Sequence, residues 1–321
     1  MSVEKVIEAI DRYRTFFITT HRSPEADALG SSLALAHLLK ARGKECSVVC
    51  VDPIPRILQF LPHENLFRQQ SKVTEWPDAV FILDCGDLGR TGLFDGPGKP
   101  SSVLINVDHH VTNRRFGGIN WVDPGATATG SLIYELSLAL GMKLTPEVAL
   151  CLYATIAGET GFFAYSNTKP ETFLLAAELL KHRVDPWAVA QRLRENTPER
   201  LDLLSRVLQG LERSPDGRVA WLTVTRDLFE KTNTSPEDTE EMIGYPRSLR
   251  GVEVAVLFRE VDDSTCKVSL RSKNRVDVAK LAEGFGGGGH QKAAGATVPS
   301  GLAETKERVL KAVGEAVRNN G

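Results

Sequence analysis

The chain has 321 residues, enough for two ordinary domains, and its 42% hydrophobic and 25% charged residues are close to the average for soluble globular proteins. A formal net charge of −2 excludes a protein that coats duplex DNA non-specifically, so any nucleic-acid contact must come from a local patch. No apolar run reaches membrane-spanning length, and residues 1–14 are polar and amphipathic rather than a charged-then-apolar leader, so a cytoplasmic protein with no membrane contact is expected.

Val3, Val6, Ile7 and Ile10 recur at helical spacing and predict a helix over 3–13. A strand over 15–20 follows and ends in a loop carrying His21, Glu25 and Asp27, where Pro24 stops strand pairing. The next helix, over 29–42, stops at Gly43 and carries His37 as a packing residue. Residues 46–51 read as a second strand, His63 as surface, and 79–84 as a third strand ending in Asp84. A glycine-rich loop over 86–100 precedes a β-branched strand that stops at Asp108-His109-His110. Helices are predicted over 127–140, 146–157 and 170–180, the second running into Gly158-Glu159-Thr160-Gly161. This alternation calls for an α/β domain over 1–186, a parallel sheet with helices on both faces.

Residues 187–214 read as a polar, arginine-rich helical connector interrupted near Thr197-Pro198. Strands over 219–225, 252–259 and 266–270 and helices over 236–243, 276–283 and 301–318 then predict a smaller α+β domain over 215–321. The five cysteines, Cys46, Cys50, Cys85, Cys151 and Cys266, form no C-x-x-C pair and read as buried hydrophobes of a reducing compartment.

Three consecutive strand ends thus deliver His21 with Glu25 and Asp27, then Asp84, then Asp108-His109-His110, to one sheet edge, and Glu159 follows a helix that reaches the same edge. So many carboxylates share one site only when cations compensate them. Oxygen and imidazole donors without thiolate suit Mn²⁺ or a similar divalent ion, and a pair of ions ~3.5–4 Å apart is a device for activating water against a phosphoester. In the second domain, Gly286 to Gly289 offer backbone N–H groups to an anion, with His290 and Lys292 directly after them. Arg271-Ser272-Lys273-Asn274-Arg275 adds a cationic cluster suited to phosphate.

Taken in order, His21…Glu25…Asp27, Asp84, Asp108-His109-His110, Gly-Glu159-Thr-Gly, Arg271-Ser272 and Gly-Gly-Gly-Gly-His290-x-x-Ala-Ala-Gly resemble the DHH phosphoesterase superfamily with a DHHA-type C-terminal domain. The two-domain layout is similar to its bacterial branch that hydrolyses very short RNAs and 3′-phosphoadenosine 5′-phosphate (pAp). The resemblance implies an active site in the cleft between the domains. His21, Glu25 and Asp84 would hold one Mn²⁺, and Asp27, Asp84, His109 and Glu159 a second, with Asp84 bridging; Mg²⁺ or another divalent ion is the alternative. Asp108 would orient the cluster and His110 would face the scissile phosphate. Arg271, Ser272, His290 and the loop of Gly287, Gly288 and Gly289 would grip the nucleotide.

The family usually has aspartate where this chain has Glu25 and Glu159, which implies an adjusted or weakened metal site. Two readings compete with the nanoRNase/pAp phosphatase: a cyclic- or linear-dinucleotide phosphodiesterase, and a nucleotide-binding sensor with a detuned metal site. A long-strand DNA exonuclease fits less well, because no extra domain forms a basic, aromatic-lined channel. A homodimer is left open.

Overall fold

The computed structural model describes residues 3–94, 101–239 and 241–319. Part of the loop over 86–100, and residue 240 in the helix predicted over 236–243, therefore lie outside the described residues. The chain divides into two compact units, residues 1–195 and 196–321.

The first unit runs α1 (Val3–Arg12), β1 (Thr15–Thr19), α2 (Ala26–Ala41), β2 (Glu45–Cys50), β3 (Phe67–Gln69), β4 (Ala79–Leu83), β5 (Val103–Asp108), β6 (Ile119–Val122), α3 (Thr129–Ala139), α4 (Pro146–Glu159), α5 (Pro170–Leu180) and α6 (Pro186–Leu193). Its six strands are all parallel, in the order β3-β2-β1-β4-β5-β6. Sequence order reverses between β1 and β4, and ligands of open α/β sheets bind outside the carboxyl ends at such a point. Register does the rest. Thr19 pairs with Ile82 and Leu83 with Val107, so His21, Asp84 and Asp108 leave three adjacent strands at one level.

Alternation along β4 sorts its side chains. Phe81 and Leu83 join the large core with α2, α3 and α4, while Val80 and Ile82 face the opposite side. There they pack with Cys85, Phe17, Trp76, Leu88, Phe94, Leu104 and Phe116, which come from strands, loops and a 3-10 turn rather than from an α-helix. Helices α2, α3 and α4 meet closely. A Cβ at Gly30 would stand 2.7 Å from Thr155 Cγ2, and one at Gly130 would overlap the Thr155 hydroxyl. At Gly158, Ala26 Cβ is the close neighbour, 2.8 Å from a built Cβ, so the end of α4 lies against the start of α2.

The second unit runs α7 (Pro198–Gln209), β7 (Glu212–Arg213), β8 (Val219–Val224), α8 (Arg226–Thr232), α9 (Gly244–Ser248), β9 (Val254–Asp262), β10 (Thr265–Ser272), α10 (Val278–Glu283), β11 (Gly288–His290), β12 (Ala293–Val298) and α11 (Leu302–Asn319). Its mixed sheet has the order β11-β12-β10-β9-β8-β7, with β8 and β9 parallel and the other pairs antiparallel. Val256 and Phe258 face Val309 and Val313 of α11 and Val278 of α10, while Ala255 and Leu257 face Leu203 and Val207 of α7.

The arginine-rich stretch is helical and broken ahead of Pro198, as expected, into two helices, each begun by a capping side chain ahead of a proline. Asp185 accepts from Trp187 N–H (2.9 Å) at α6 in the first unit, and Thr197 accepts from Arg200 N–H (3.1 Å) at α7 in the second. The predicted helix over 236–243 is instead a 3-10 turn, Pro236–Thr239, followed by α9. His63 is half-buried and donates to the Leu61 carbonyl (2.7 Å) rather than lying on the surface. His37 does pack, bonded to the Pro62 carbonyl (2.9 Å). All five cysteines are free thiols, and burial pushes Cys50 and Cys85 up to about 12.

Candidate active site

α2 begins at Ala26, three residues ahead of the predicted start, which puts Asp27 in its first turn. Glu25 sits at the N-cap but its side chain caps nothing there. Its Oε1 instead lies 3.1 Å from His21 Nε2. Asp27 serves a different helix: its carboxylate accepts the first N–H groups of α3, from Thr129 (2.7 Å) and Gly130 (2.9 Å). The carboxylate is thereby fixed on both oxygens at a helix N-terminus.

Asp84 is the centre. It follows β4 in the left-handed region (φ 53°), an uncommon conformation for a residue with a Cβ and one that clusters at functional sites. Thr129 donates its hydroxyl to Oδ1 (3.0 Å). Oδ1 also lies 3.5 Å from His109 Nε2 and 3.6 Å from His110 Nδ1. Oδ2 lies 3.7 Å from His21 Nε2 and is buried with no hydrogen-bond donor.

Two of the histidines share a pattern. His21 Nδ1 donates to the Arg22 carbonyl (2.7 Å), and His109 Nδ1 points at the Ala126 carbonyl (3.4 Å). Each thereby turns Nε2 toward the carboxylates, the orientation of a metal-ligating imidazole held by a backbone carbonyl. His110 differs. Its Nδ1 donates to Asp108 Oδ1 (2.7 Å), and that oxygen also accepts the His109 N–H (2.8 Å).

The electrostatics follow from crowding. Burial acts against charge on His21, but Glu25 and Asp84 outweigh it and lift the imidazole well above its usual value. Burial likewise opposes charge on His110, and Asp108 and Asp84 raise it to about 9. Asp84 is held far below the usual range, against its burial, by His21, His110 and His109. Asp27 goes the other way: burial, and then the negative charge of Asp84, push it well up. Without a cation, the cluster cannot ionise all its carboxylates together.

Donor groups of the first unit form sets whose ligand atoms all lie within 4.8 Å of one another: His21, Glu25 and Asp84; Asp27, His109 and Glu159; and Asp84, Asp108 and His110. The orphaned Asp84 oxygen, the two carbonyl-oriented imidazoles and the donor set free of sulfur fit divalent cations. The structure therefore brings His21, Glu25, Asp27, Asp84, Asp108, His109, His110 and Glu159 together within the first unit.

Sequence reasoning missed the residues that hold this group in place. Asn113 Nδ2 donates to Asp108 Oδ2 (2.5 Å) and Asn106 Oδ1 (2.8 Å). Asn106, fully buried in β5, donates to the carbonyls of Ile82 (3.0 Å) and Cys85 (3.1 Å), on either side of Asp84. An amide inside the apolar run Val103-Leu104-Ile105-Asn106-Val107 was the available signal. Thr129 carries none beyond its place before an apolar helix.

In the second unit, Arg271 and Ser272 end β10 and His290 ends β11. Arg271 Nη1 donates to the Leu270 carbonyl (3.1 Å). Ser272 is buried, and its hydroxyl donates to the Val276 carbonyl (2.7 Å) rather than presenting itself at the surface. The glycine run is not an open loop. Gly288–His290 forms the edge strand of a hairpin with β12, in which Gly289 pairs with Ala294. A Cβ at Gly287 would overlap the Gly295 carbonyl, and Gly289 (φ 143°) lies in a region that L side chains rarely adopt. Gly287 and Gly289 thus let β11 approach β12, while Gly288 has open space beside it.

Residues 15–156 match the model of the DHH family's N-terminal domain, and residues 216–319 match the DHHA1 domain. The bifunctional oligoribonuclease and PAP phosphatase NrnA of Thermus thermophilus is 36% identical over 321 residues, covering 99% of this chain and 94% of that protein. The chain belongs to the DHH family of phosphoesterases, in its DHH–DHHA1 arrangement. The protein of the same description from Bacillus subtilis is 28% identical over 92% of this chain and 93% of its own length. Among solved structures, an exopolyphosphatase-related protein from Bacteroides fragilis superposes with a TM-score of 0.84 at 24% identity, over 99% of this chain and 95% of that one, which establishes the shared fold. DHH phosphoesterases depend on divalent metal, and the donor clusters described above supply the groups for it. No helix among the described residues is long and apolar enough to cross a membrane.

Proposed function

We propose that the chain hydrolyses short oligoribonucleotides to mononucleotides and pAp to AMP, using Mn²⁺. The observation that carries the reading is the position of Asp84. Asp84 belongs to a donor set with His21 and Glu25, its orphaned Oδ2 lying 3.7 Å from His21 Nε2, and its Oδ1 lies 3.5 Å from His109, which forms a second set with Asp27 and Glu159. The full-length similarity to NrnA-type proteins supplies the substrate class.

In this reading His21, Glu25 and Asp84 would hold one ion, and Asp27, Asp84, His109 and Glu159 the other. Bound divalent ions supply Lewis acidity, activating water and neutralising charge on the phosphoryl oxygens. The chain's own residues do the remaining work. Asp108 fixes the His110 ring by accepting its Nδ1–H, so Nε2 is the edge turned toward the scissile phosphate. Held cationic by Asp108 and Asp84, His110 stabilises the charge that develops and keeps a proton at Nε2 for the leaving 3′-oxygen. Arg271, His290 and the glycine hairpin receive the nucleotide's remaining phosphate. Ser272 shapes this segment from inside. Glu25 and Glu159 each reach one methylene further than aspartate, and this adjusts the metal geometry rather than removing a ligand.

The test is to strip metal from the protein, restore Mn²⁺, and offer pAp, RNAs of two to five nucleotides and a long single strand side by side. Release of AMP and mononucleotides from the short substrates, abolished by chelator and restored by Mn²⁺, is expected. No turnover together with tight nucleotide binding would overturn hydrolysis in favour of a sensor.

A further inference from the structure

Glu253, the residue before β9, has its carboxylate engaged four times. Oε1 accepts the backbone N–H groups of three consecutive residues, Asn274 (3.1 Å), Arg275 (2.7 Å) and Val276 (3.1 Å). Oε2 accepts Asn274 Nδ2 (2.9 Å), and the Glu253 carbonyl takes the Lys273 N–H (2.9 Å). Successive N–H groups converging on one point form an anion-binding nest. Here the anion is a side chain of the same unit, brought in from another strand.

The turn it fills connects β10 to α10 and begins at Arg271. The same turn is tied to the β11–β12 hairpin by several hydrogen bonds. Ser272 N–H donates to the Lys292 carbonyl (3.0 Å), Val278 N–H donates to the Gln291 carbonyl (2.9 Å), and Lys292 Nζ donates to the Asn274 carbonyl. His290 immediately precedes these anchors. One carboxylate therefore links β9, the turn after Arg271 and the hairpin that carries His290. It also places a negative charge within a stretch that holds Arg271, Lys273, Arg275 and Lys292. Removing it leaves three backbone N–H groups and an amide without their acceptor, beside four cations, and the turn has every reason to open.

We propose that Glu253 is a positioning residue for nucleotide binding: its carboxylate fills the nest of Asn274–Val276 and so holds Arg271 and His290 in the geometry that receives a substrate phosphate. The proposal rests on the roles given above to Arg271 and His290. Glu253 touches no substrate, so its loss weakens binding and spares the chemical step.

The experiment uses the full chain with Mn²⁺ and compares wild type, Glu253→Ala, Glu253→Gln and Arg271→Ala. Substrates are pAp, and bis(p-nitrophenyl) phosphate as a phosphodiester without a second phosphate. Losing a charged acceptor of several N–H groups is expected to raise KM for pAp by about tenfold or more in Glu253→Ala, with kcat within about twofold. Turnover of bis(p-nitrophenyl) phosphate is expected to be unchanged. Added acetate, a carboxylate small enough for the emptied nest, is expected to bring KM back toward wild type in Glu253→Ala and to do nothing for Arg271→Ala. Glu253→Gln keeps the volume and one acceptor oxygen, guards against a folding failure, and is expected to show a smaller KM rise with the same kcat. A KM within twofold of wild type in both Glu253 variants would overturn the proposal, as would an equal loss on both substrates. Absence of any hydrolysis by wild type would overturn the functional reading instead.

Discussion

Asp84 combines features that stability alone does not favour: a left-handed backbone, full burial, and one carboxylate oxygen with no donor. Asp84→Asn preserves volume and removes one charge from a crowded anionic cluster. It is expected to abolish metal-dependent hydrolysis; turnover within tenfold of wild type would exclude Asp84 from the metal site. Asn113 acts one step further out, through its bond to Asp108. Asn113→Ala is expected to lower kcat about 10–100-fold, as losses of groups that orient metal-site side chains do, with little change in KM. Steady-state kinetics on pAp separates the two parameters. The metal-free protein also carries a pH signature. The folded pKa of His110, about 9, lies above its unfolded value near 6.5, so the stability it contributes is full below pH 6.5 and lost as pH rises toward 9. Asp27, raised in the fold, works in the same direction as pH rises. Metal-free protein is therefore expected to melt at falling temperature across that window, and His110→Gln to flatten the slope.

At the scale of elements, the site is assembled where α2, α3 and α4 converge, and that convergence depends on absent side chains. Gly130 lies in the first turn of α3, where its N–H reaches Asp27 and its Cα faces Thr155. Gly130→Ala is expected to cost about 1–3 kcal/mol by overpacking, read as a lowered melting temperature, and to displace the end of Asp27. Gly130→Ala paired with Thr155→Ala, which removes the hydroxyl that the new Cβ would overlap, should recover part of the loss. How legible each element was depends on its physics. β1, β4 and β5 were readable because central parallel strands are apolar on both faces, and the polar residue that ends each one is conspicuous. His21, Asp84 and Asp108-His109-His110 were found that way. The supporting residues Asn106, Asn113 and Thr129 are uncharged, and their roles exist only through contacts 21–45 residues distant or through a turn. β11 was unreadable as a strand because glycine has no strand preference, and only its pairing with β12 makes it one. The turn at Glu253 was equally hidden: the cations of Arg271–Arg275 stood out, and the carboxylate that holds them is some twenty residues earlier.

Among the described residues, the two largest apolar cores lie one in each unit. One joins α2 and α4 to β1, β4 and β5; the other joins α10 and α11 to β9, β10 and β12. The two sets of donors proposed for metal, His21, Glu25, Asp84 and Asp27, His109, Glu159, lie entirely within residues 1–195. Metal binding is therefore linked to the folding of the first core and only indirectly to that of the second. A ligand present at one hundred times its dissociation constant stabilises the state that binds it by about 2.7 kcal/mol, which slows exchange through unfolding of that state about 100-fold. Hydrogen exchange followed with and without Mn²⁺ is expected to show this slowing in the amides of β1, β4 and β5. The amides of β9 and β10 should change far less. Equal slowing in both sheets would mean that the two units unfold as one. Slowing confined to β9 and β10 would place the metal outside the Asp84 cluster altogether.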